Sequence, residues 1–359
     1  MRLGTPDEVG LLREPLVRMR SILASRLPPG AVLLVARDGV IVEHSAVGVV
    51  ATHGVDGALL PSPVPTRTDT IYDLASISKL YVAVVAMQLV ESGSLALDVP
   101  VADYLPSFVV GRRATVRQLL SHSAGLPSGH KLQPYPSVES RLATIYEVPA
   151  EAEPGTAYKY SDLSAIVAAK VVEAVSGSSL DALVRKEICE PFGLVDTLYN
   201  PPASLLPRIA PTEFQPDRGL IWGSVHDSTA WLLGGVAGSA GVFATAYDLA
   251  VFTQALLSGG PPLLSEASVK EMLTDANAGI GPRSQRGLGF DLERESFMGD
   301  MARPGVWGHT GFTGTSVVAD PASQAFVIVL SNRVHPTRET PRSNPVRADV
   351  ASELARALR

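Results

Sequence analysis

Hydrophobic and polar positions divide the chain into two strand-rich ends around a helical middle. Residues 9–27 repeat apolar positions at helical spacing, with arginines between them. Residues 31–37 and 40–47 are apolar, strand-like runs separated by Asp38-Gly39, and such a link between such runs predicts a hairpin. Residues 53–69, rich in Gly, Pro and Thr, read as a loop. Residues 80–90 are nearly all apolar and predict a buried helix.

From residue 95 to 213 the pattern changes. Short helical runs at 116–121, 163–175 and 180–188 alternate with Pro-rich turns, and no strand pattern stands out. Strands return at 315–319 and 325–331, which flank Asp320-Pro321-Ala322-Ser323-Gln324 as a second hairpin, and 346–358 is a closing helix. The pattern predicts an α/β (α+β) fold: an antiparallel sheet flanked by helices, in which N-terminal strands pair with C-terminal ones. It further predicts a discontinuous domain of residues 1–94 and 229–359, interrupted by a mostly helical insertion, 95–228.

Composition narrows the partners. The 359 residues are many for one simple core and are 46% apolar and 18% charged. The net charge of −6, with no basic cluster, argues against nucleic acid and anionic membranes. A single cysteine, Cys189, excludes an internal disulfide and a multi-cysteine metal site. Its neighbours Glu187 and Glu190 suit a buried small residue better than an activated thiol. The first residues lack the apolar stretch of a signal peptide, so the expectation is a cytoplasmic protein. Residues 228–247 carry no charge and contain Gly234-x-x-x-Gly238. Their glycines and the flanking Asp227 and Asp248 predict a buried segment near a site rather than a membrane span.

The chemistry centres on Ser76-Ile77-Ser78-Lys79, at the head of the apolar helix. Spacing i, i+3 puts both side chains on one helix face, with Ser76 in the first turn. An alcohol becomes a useful nucleophile when a neighbour takes its proton, and a lysine in an apolar crevice has its pKa lowered toward that task. The structural alternative is a helix cap with a surface lysine. A second Ser-x-x-Lys, Ser128 to Lys131, lies among Pro and Gly and opens no helix.

Two further stretches offer complementary groups. Tyr160, in Tyr158-Lys159-Tyr160-Ser161-Asp162, can relay a proton if an ammonium lowers its phenol pKa; the alternative is a core aromatic beside an N-cap. His309 and Thr310, in Gly308-His309-Thr310-Gly311-Phe312, can hydrogen-bond a substrate carboxylate or carbonyl. The spacing of His122 and His130 does not suit a metal pair, and His122 reads as a structural histidine bonding loop backbone. No metal or organic cofactor is expected. Gly-x-Ser-x-Gly, P-loop and Gly-x-Gly-x-x-Gly motifs are absent.

The order of these pieces is informative. Ser76-x-x-Lys79, Leu119 to Pro127, Tyr160-Ser161-Asp162, Gly234 to Phe243 and His309-Thr310-Gly311 follow one another as in the serine beta-lactamase and penicillin-binding-protein superfamily. Over roughly residues 30–338 the chain resembles class C-like, beta-lactamase-related serine hydrolases, which include D-alanyl-D-alanine carboxypeptidases and family VIII carboxylesterases. The resemblance implies a beta-lactamase/transpeptidase-like fold with the site between sheet domain and insertion. It implies Ser76 as acylated nucleophile, Lys79 as its proton-accepting partner and Tyr160 as proton shuttle. It also implies an oxyanion hole from the backbone N–H groups of Ser76 and Phe312, and substrate binding by Thr310 and Gly311. Asp162 stands where the family usually has Asn, and would hold Lys79 as ammonium or repel a substrate carboxylate. His309 stands for the lysine of class C beta-lactamases. Both changes shift the expectation from beta-lactamase toward esterase or peptidase-like hydrolase.

The expected reaction is two-step acyl transfer on a small ester, amide or peptide. The first alternative is a D-Ala-D-Ala carboxypeptidase or penicillin-binding enzyme, against which the absence of a leader counts; the second is a non-catalytic binding module on the same fold. Residues 130–140 and 276–286 are expected to be loops that set substrate choice.

Overall fold

The computed structural model describes residues 1–109 and 113–358. Its main sheet contains strands β1 (Arg2–Leu3), β2 (Gly30–Arg37), β3 (Val40–His53), β4 (Leu59–Pro65), β5 (Asp291–Leu292), β6 (Trp307–Thr310), β7 (Ser316–Asp320) and β8 (Ala325–Ser331). They run in the order β1-β3-β2-β8-β7-β6-β5, with β4 added along β3. All neighbours are antiparallel except β1 and β3. The two chain ends meet at β2 and β8, where Ala31 pairs with Ser331 and Arg37 with Ala325. Among the described residues, 95–228 adds no strand to this sheet.

Strand β2 is an unbroken apolar run because both of its faces are covered. Val32, Leu34 and Ala36 face one core with helices α2 (Ser78–Glu91), α3 (Asp162–Ser176) and α4 (Ala246–Leu257). Ala31, Leu33 and Val35 face a second core, shared with α1 (Arg13–Arg26) and α5 (Asn344–Ala357). Helix α2 is buried from Ser78 through Met87, as an all-apolar helix must be. Among the described residues no single helix is long and apolar enough to cross a membrane.

Both hairpins form, and Asp38 and Gly39 take the positive φ of +50° and +75° that a tight two-residue link requires. The predicted loop at 53–69 is in part strand: β3 runs on to His53, and Leu59–Pro65 pairs back along it as β4. Pro61, Pro63 and Pro65 are tolerated because β4 is an edge strand, where missing N–H groups break no ladder. The middle region also holds short strands that its pattern did not show. Leu198–Tyr199 pairs with Val242–Ala244, and Phe214–Gln215 with Gly219–Leu220; such lengths carry no periodic signal. An unforeseen helix, Val138–Glu147, starts at a Ser137 cap. Cys189 is buried, its thiol donating toward the Thr197 carbonyl, and burial pushes its pKa up to about 12.

Candidate active site

Ser76 lies in a 3-10 turn, Ala75–Ile77, just ahead of α2 rather than inside its first helical turn. That turn is held from several sides. Ala75 has φ +48°, an uncommon value for a residue with a Cβ. The Asp73 carboxylate accepts from Ala75 N–H at 2.8 Å and from His226 N–H at 2.7 Å. Thr313 Oγ1 donates to the Asp73 carbonyl and Thr315 Oγ1 to the Leu74 carbonyl. Gly311 lies so close that a Cβ there would stand 2.4 Å from the Leu74 oxygen. The end of β6 and the nucleophile turn are therefore fitted to each other at backbone distance. Burial raises the Asp73 carboxyl to about 6, against the pull of its two N–H donors.

Lys79 Nζ donates to Ser76 Oγ at 3.0 Å and to the Ser239 carbonyl at 2.9 Å, and pairs with Asp162 Oδ1 at 2.8 Å. The glycine-rich segment supplies Ser239, and Gly238 lets it lie against α3, since a Cβ would reach 2.0 Å from the Ala165 oxygen. Asp162 opens α3, with Ser161 as its N-cap. The sequence led us to expect a lysine of lowered pKa. Burial does pull that way, but Asp162 and then Tyr160 together outweigh it, and the Lys79 pKa stands above the ordinary lysine value. Lys79 thus rests as an ammonium.

Tyr160 lies partly buried beside this pair, with Lys79 Nζ 4.9 Å from its ring centroid. Burial raises its phenol pKa, Lys79 and Arg286 lower it, Asp162 raises it, and the outcome stays above the usual value. His122 lies 4.5 Å from the Tyr160 ring, centroid to centroid. Its Nδ1 accepts from Ser161 N–H, the structural role expected of it. Among the described residues no group of three or more metal-binding side chains gathers.

His309 departs from expectation. Its Nε2 lies 2.8 Å from Arg286 Nη2 and its Nδ1 2.9 Å from the Thr310 carbonyl. Both ring nitrogens are already engaged, so hydrogen bonding to a substrate carboxylate does not fit this geometry. Burial, and then the Arg286 charge, push its pKa down to about 3.

Two cavities meet at Ser76, Tyr160 and Phe312. One, of about 380 Å³, adds Asp162, His226, Asp227 and Ser239. The other, of about 330 Å³, adds Thr310, Gly311, Arg333, Arg342, Asn344 and Arg347. Half-exposed Phe312 separates them, its ring stacked on His226 and flanked by Arg333 and Arg338. Among the described residues, the backbone N–H groups of Ser76 and Phe312 have no acceptor. A larger cavity, about 620 Å³, surrounds Cys189 and Tyr199, away from these groups and beside an inert thiol.

Arg333 and Arg347 are buried, yet their hydrogen-bond partners are Thr340, Asn344 and the carbonyls of Gly311 and Thr315, none acidic. Burial, then Arg333, brings the Arg347 pKa down to about 9. Sequence reasoning missed Asp73, Ser239, Arg286, Thr313, Thr315 and these arginines. The sequence singles out the glycine-rich segment around Ser239, the loop ending at Arg286 and the threonines behind Gly311 as stretches, but not these side chains.

Comparison with known proteins adds to the geometry. Residues 19–352 match the family model described as Beta-lactamase. A protein of Escherichia coli strain K12, provisionally named D-alanyl-D-alanine carboxypeptidase, is 32% identical over 95% of this chain and 88% of its own. A protein of the same name from Salmonella enteritidis PT4 is 30% identical over 96% and 89%. Among solved structures, EstCE1, a hydrolase with promiscuous acyltransferase activity, aligns with a TM-score of 0.74 at 22% identity over 95% of this chain and 97% of its own. A penicillin-binding protein homolog from Caulobacter crescentus gives 0.73 at 23% over 96% and 99%. At those identities the structural matches speak to the fold.

Proposed function

The chain belongs to the beta-lactamase family and is a serine hydrolase, and from that premise we propose that Ser76 cleaves a small ester or amide through an acyl-serine intermediate. The observation that carries this reading is the contact of Ser76 Oγ with Lys79 Nζ beside Tyr160, in a cleft where two backbone N–H groups stand free.

In the proposed cycle Tyr160, its phenolate favoured by the Lys79 ammonium, accepts the Ser76 proton. Ser76 Oγ bonds the substrate carbonyl carbon, and the oxyanion sits on the N–H groups of Ser76 and Phe312. The carbon–leaving-group bond breaks, and Tyr160 returns the proton to the departing alcohol or amine. Water then gives a proton to Tyr160 and attacks the acyl ester. Ser76 leaves, regains its proton from Tyr160, and the acid is released. Asp162 holds Lys79 charged, and Thr310 and Gly311 line the bound substrate.

The arginine-lined cavity supports a second reading, a carboxypeptidase acting on peptides that end in a D-amino acid. A substrate carboxylate next to the scissile bond would neutralise buried guanidiniums that have no acidic partner. Relatives named D-alanyl-D-alanine carboxypeptidase point the same way.

One panel tests both. The protein and Ser76→Ala are given p-nitrophenyl esters, a D-Ala-D-Ala peptide and a labelled penicillin, and adducts are mapped by mass spectrometry. Ester turnover lost in Ser76→Ala supports the first reading. Peptide cleavage with stable penicilloylation of Ser76 supports the second. Neither turnover nor adduct would overturn both.

A further inference from the structure

We propose that Arg286 is a positioning residue of this site: it locks His309 as a neutral acceptor and sets a fixed positive charge against Tyr160. The role in proton transfer rests on the reading above; the state of His309 does not.

Arg286 is fully buried. Its Nη1 lies 2.5 Å from Asp291 Oδ1, and its Nη2 bonds the Gly289 carbonyl at 3.2 Å and His309 Nε2 at 2.8 Å. A guanidinium only donates, so His309 Nε2 must present its lone pair. The proton then sits on Nδ1, where the Thr310 carbonyl accepts it. One arginine thereby fixes both the tautomer and the charge of the imidazole. That removes His309 from the groups able to hold substrate or carry a proton.

The same guanidinium carbon lies 5.2 Å from the Tyr160 ring centroid. The groups facing Tyr160 are Lys79 from α2, Asp162 from α3, His122 from the loop after Val116–Leu120, His309 from β6, and Arg286. Those facing His309 are Arg286, Asp291, Lys79 and Tyr160. Lys79 is neutralised by its partner Asp162 at 2.8 Å. Arg286 is likewise paired with Asp291, and its guanidinium stands over the phenol ring alongside the Lys79 ammonium. A positive charge there favours the phenolate that the proton shuttle needs.

The test compares wild type, Arg286→Lys, Asp291→Asn and the double variant Arg286→Gln/Asp291→Asn. The double variant removes both buried charges together, so no lone carboxylate remains to unfold the protein. In wild type, ¹⁵N-histidine NMR should show His309 protonated at Nδ1, with no titration between pH 5 and 8. In the double variant the donor to Nε2 is gone, so His309 should no longer be held as the Nδ1-protonated tautomer alone and the Nε2-protonated form should appear. The alkaline-rising limb of kcat/KM should move up by ~1 pH unit relative to Asp291→Asn, while Arg286→Lys, which keeps the charge, should stay near wild type. A wild-type His309 that titrates near its ordinary value would overturn the proposal. So would coincident limbs in the double variant and Asp291→Asn. If wild type turns over neither ester nor peptide, the hydrolase reading fails, and the NMR result still decides the state of His309.

Discussion

Lys79 Nζ lies 2.8 Å from Asp162 Oδ1, so the amine next to the nucleophile is held as an ammonium by a carboxylate at the mouth of α3. This pair sets the pH behaviour of the site. Asp162 raises the pKa of Lys79 and also that of Tyr160. Catalysis by the Tyr160 phenolate should therefore strengthen as pH rises through the alkaline range. In Asp162→Asn the negative neighbour is gone and both pKa values fall, so the rising limb of kcat/KM should move to lower pH by ~1 unit. Stopped assays of ester turnover from pH 6 to 10.5 check this, and an unmoved limb would contradict it.

The fit between Gly311 and the nucleophile turn gives a second prediction. In Gly311→Ala the new methyl meets the Leu74 oxygen and Thr315 Oγ1, both close to backbone that cannot yield. The strand end must back away, carrying the Phe312 N–H with it. The expected cost is about 1–3 kcal/mol in stability. The expected loss in kcat is ~10²-fold, the scale of one displaced oxyanion donor. Thermal unfolding and ester kinetics on the same sample separate the two effects.

Asp73 makes a third. Its pKa is raised to about 6 in the fold from an ordinary value of 3.8. The folded state therefore binds that proton more tightly than the unfolded state does. The resulting stabilisation is full below pH 3.8 and disappears as pH rises through 6. Asp73→Asn should abolish this dependence. The amide has one acceptor oxygen for two N–H donors, so the variant should also be less stable at pH 7 by about 1–3 kcal/mol. Denaturant unfolding of both proteins at pH 4, 5, 6 and 7 reads out both effects.

Much of this was legible in the sequence because short-range chemistry carried it. The Asp38-Gly39 hairpin, the continuous apolar strand β2 and the buried α2 each follow from local pattern, and so does the placement of Ser76 at the head of α2. The contacts that tune the site were not legible because they join distant segments. Asp162 reverses the pKa shift expected of Lys79, and Arg286 occupies the His309 nitrogen that substrate was expected to use. Both partners are ordinary charged residues in sequence, and only tertiary packing gives them their effect. The strand β4 was hidden by its prolines, which an edge position accommodates.

The arginine cavity yields a fourth prediction. Arg342 is exposed at its rim, so Arg342→Ala should leave the fold intact. It should raise KM for carboxylate-bearing substrates several-fold, by about 1 kcal/mol, and leave neutral p-nitrophenyl esters unaffected. Equal effects on both substrate types would remove the case for a carboxylate there.

The central claim is that Ser76 carries the acyl group. Acid quenching during p-nitrophenyl ester turnover, followed by peptide mapping, tests it directly. The account predicts one added acyl mass on the peptide containing Ser76, and neither adduct nor turnover in Ser76→Ala. An adduct on another residue, or turnover that survives in Ser76→Ala, would contradict it.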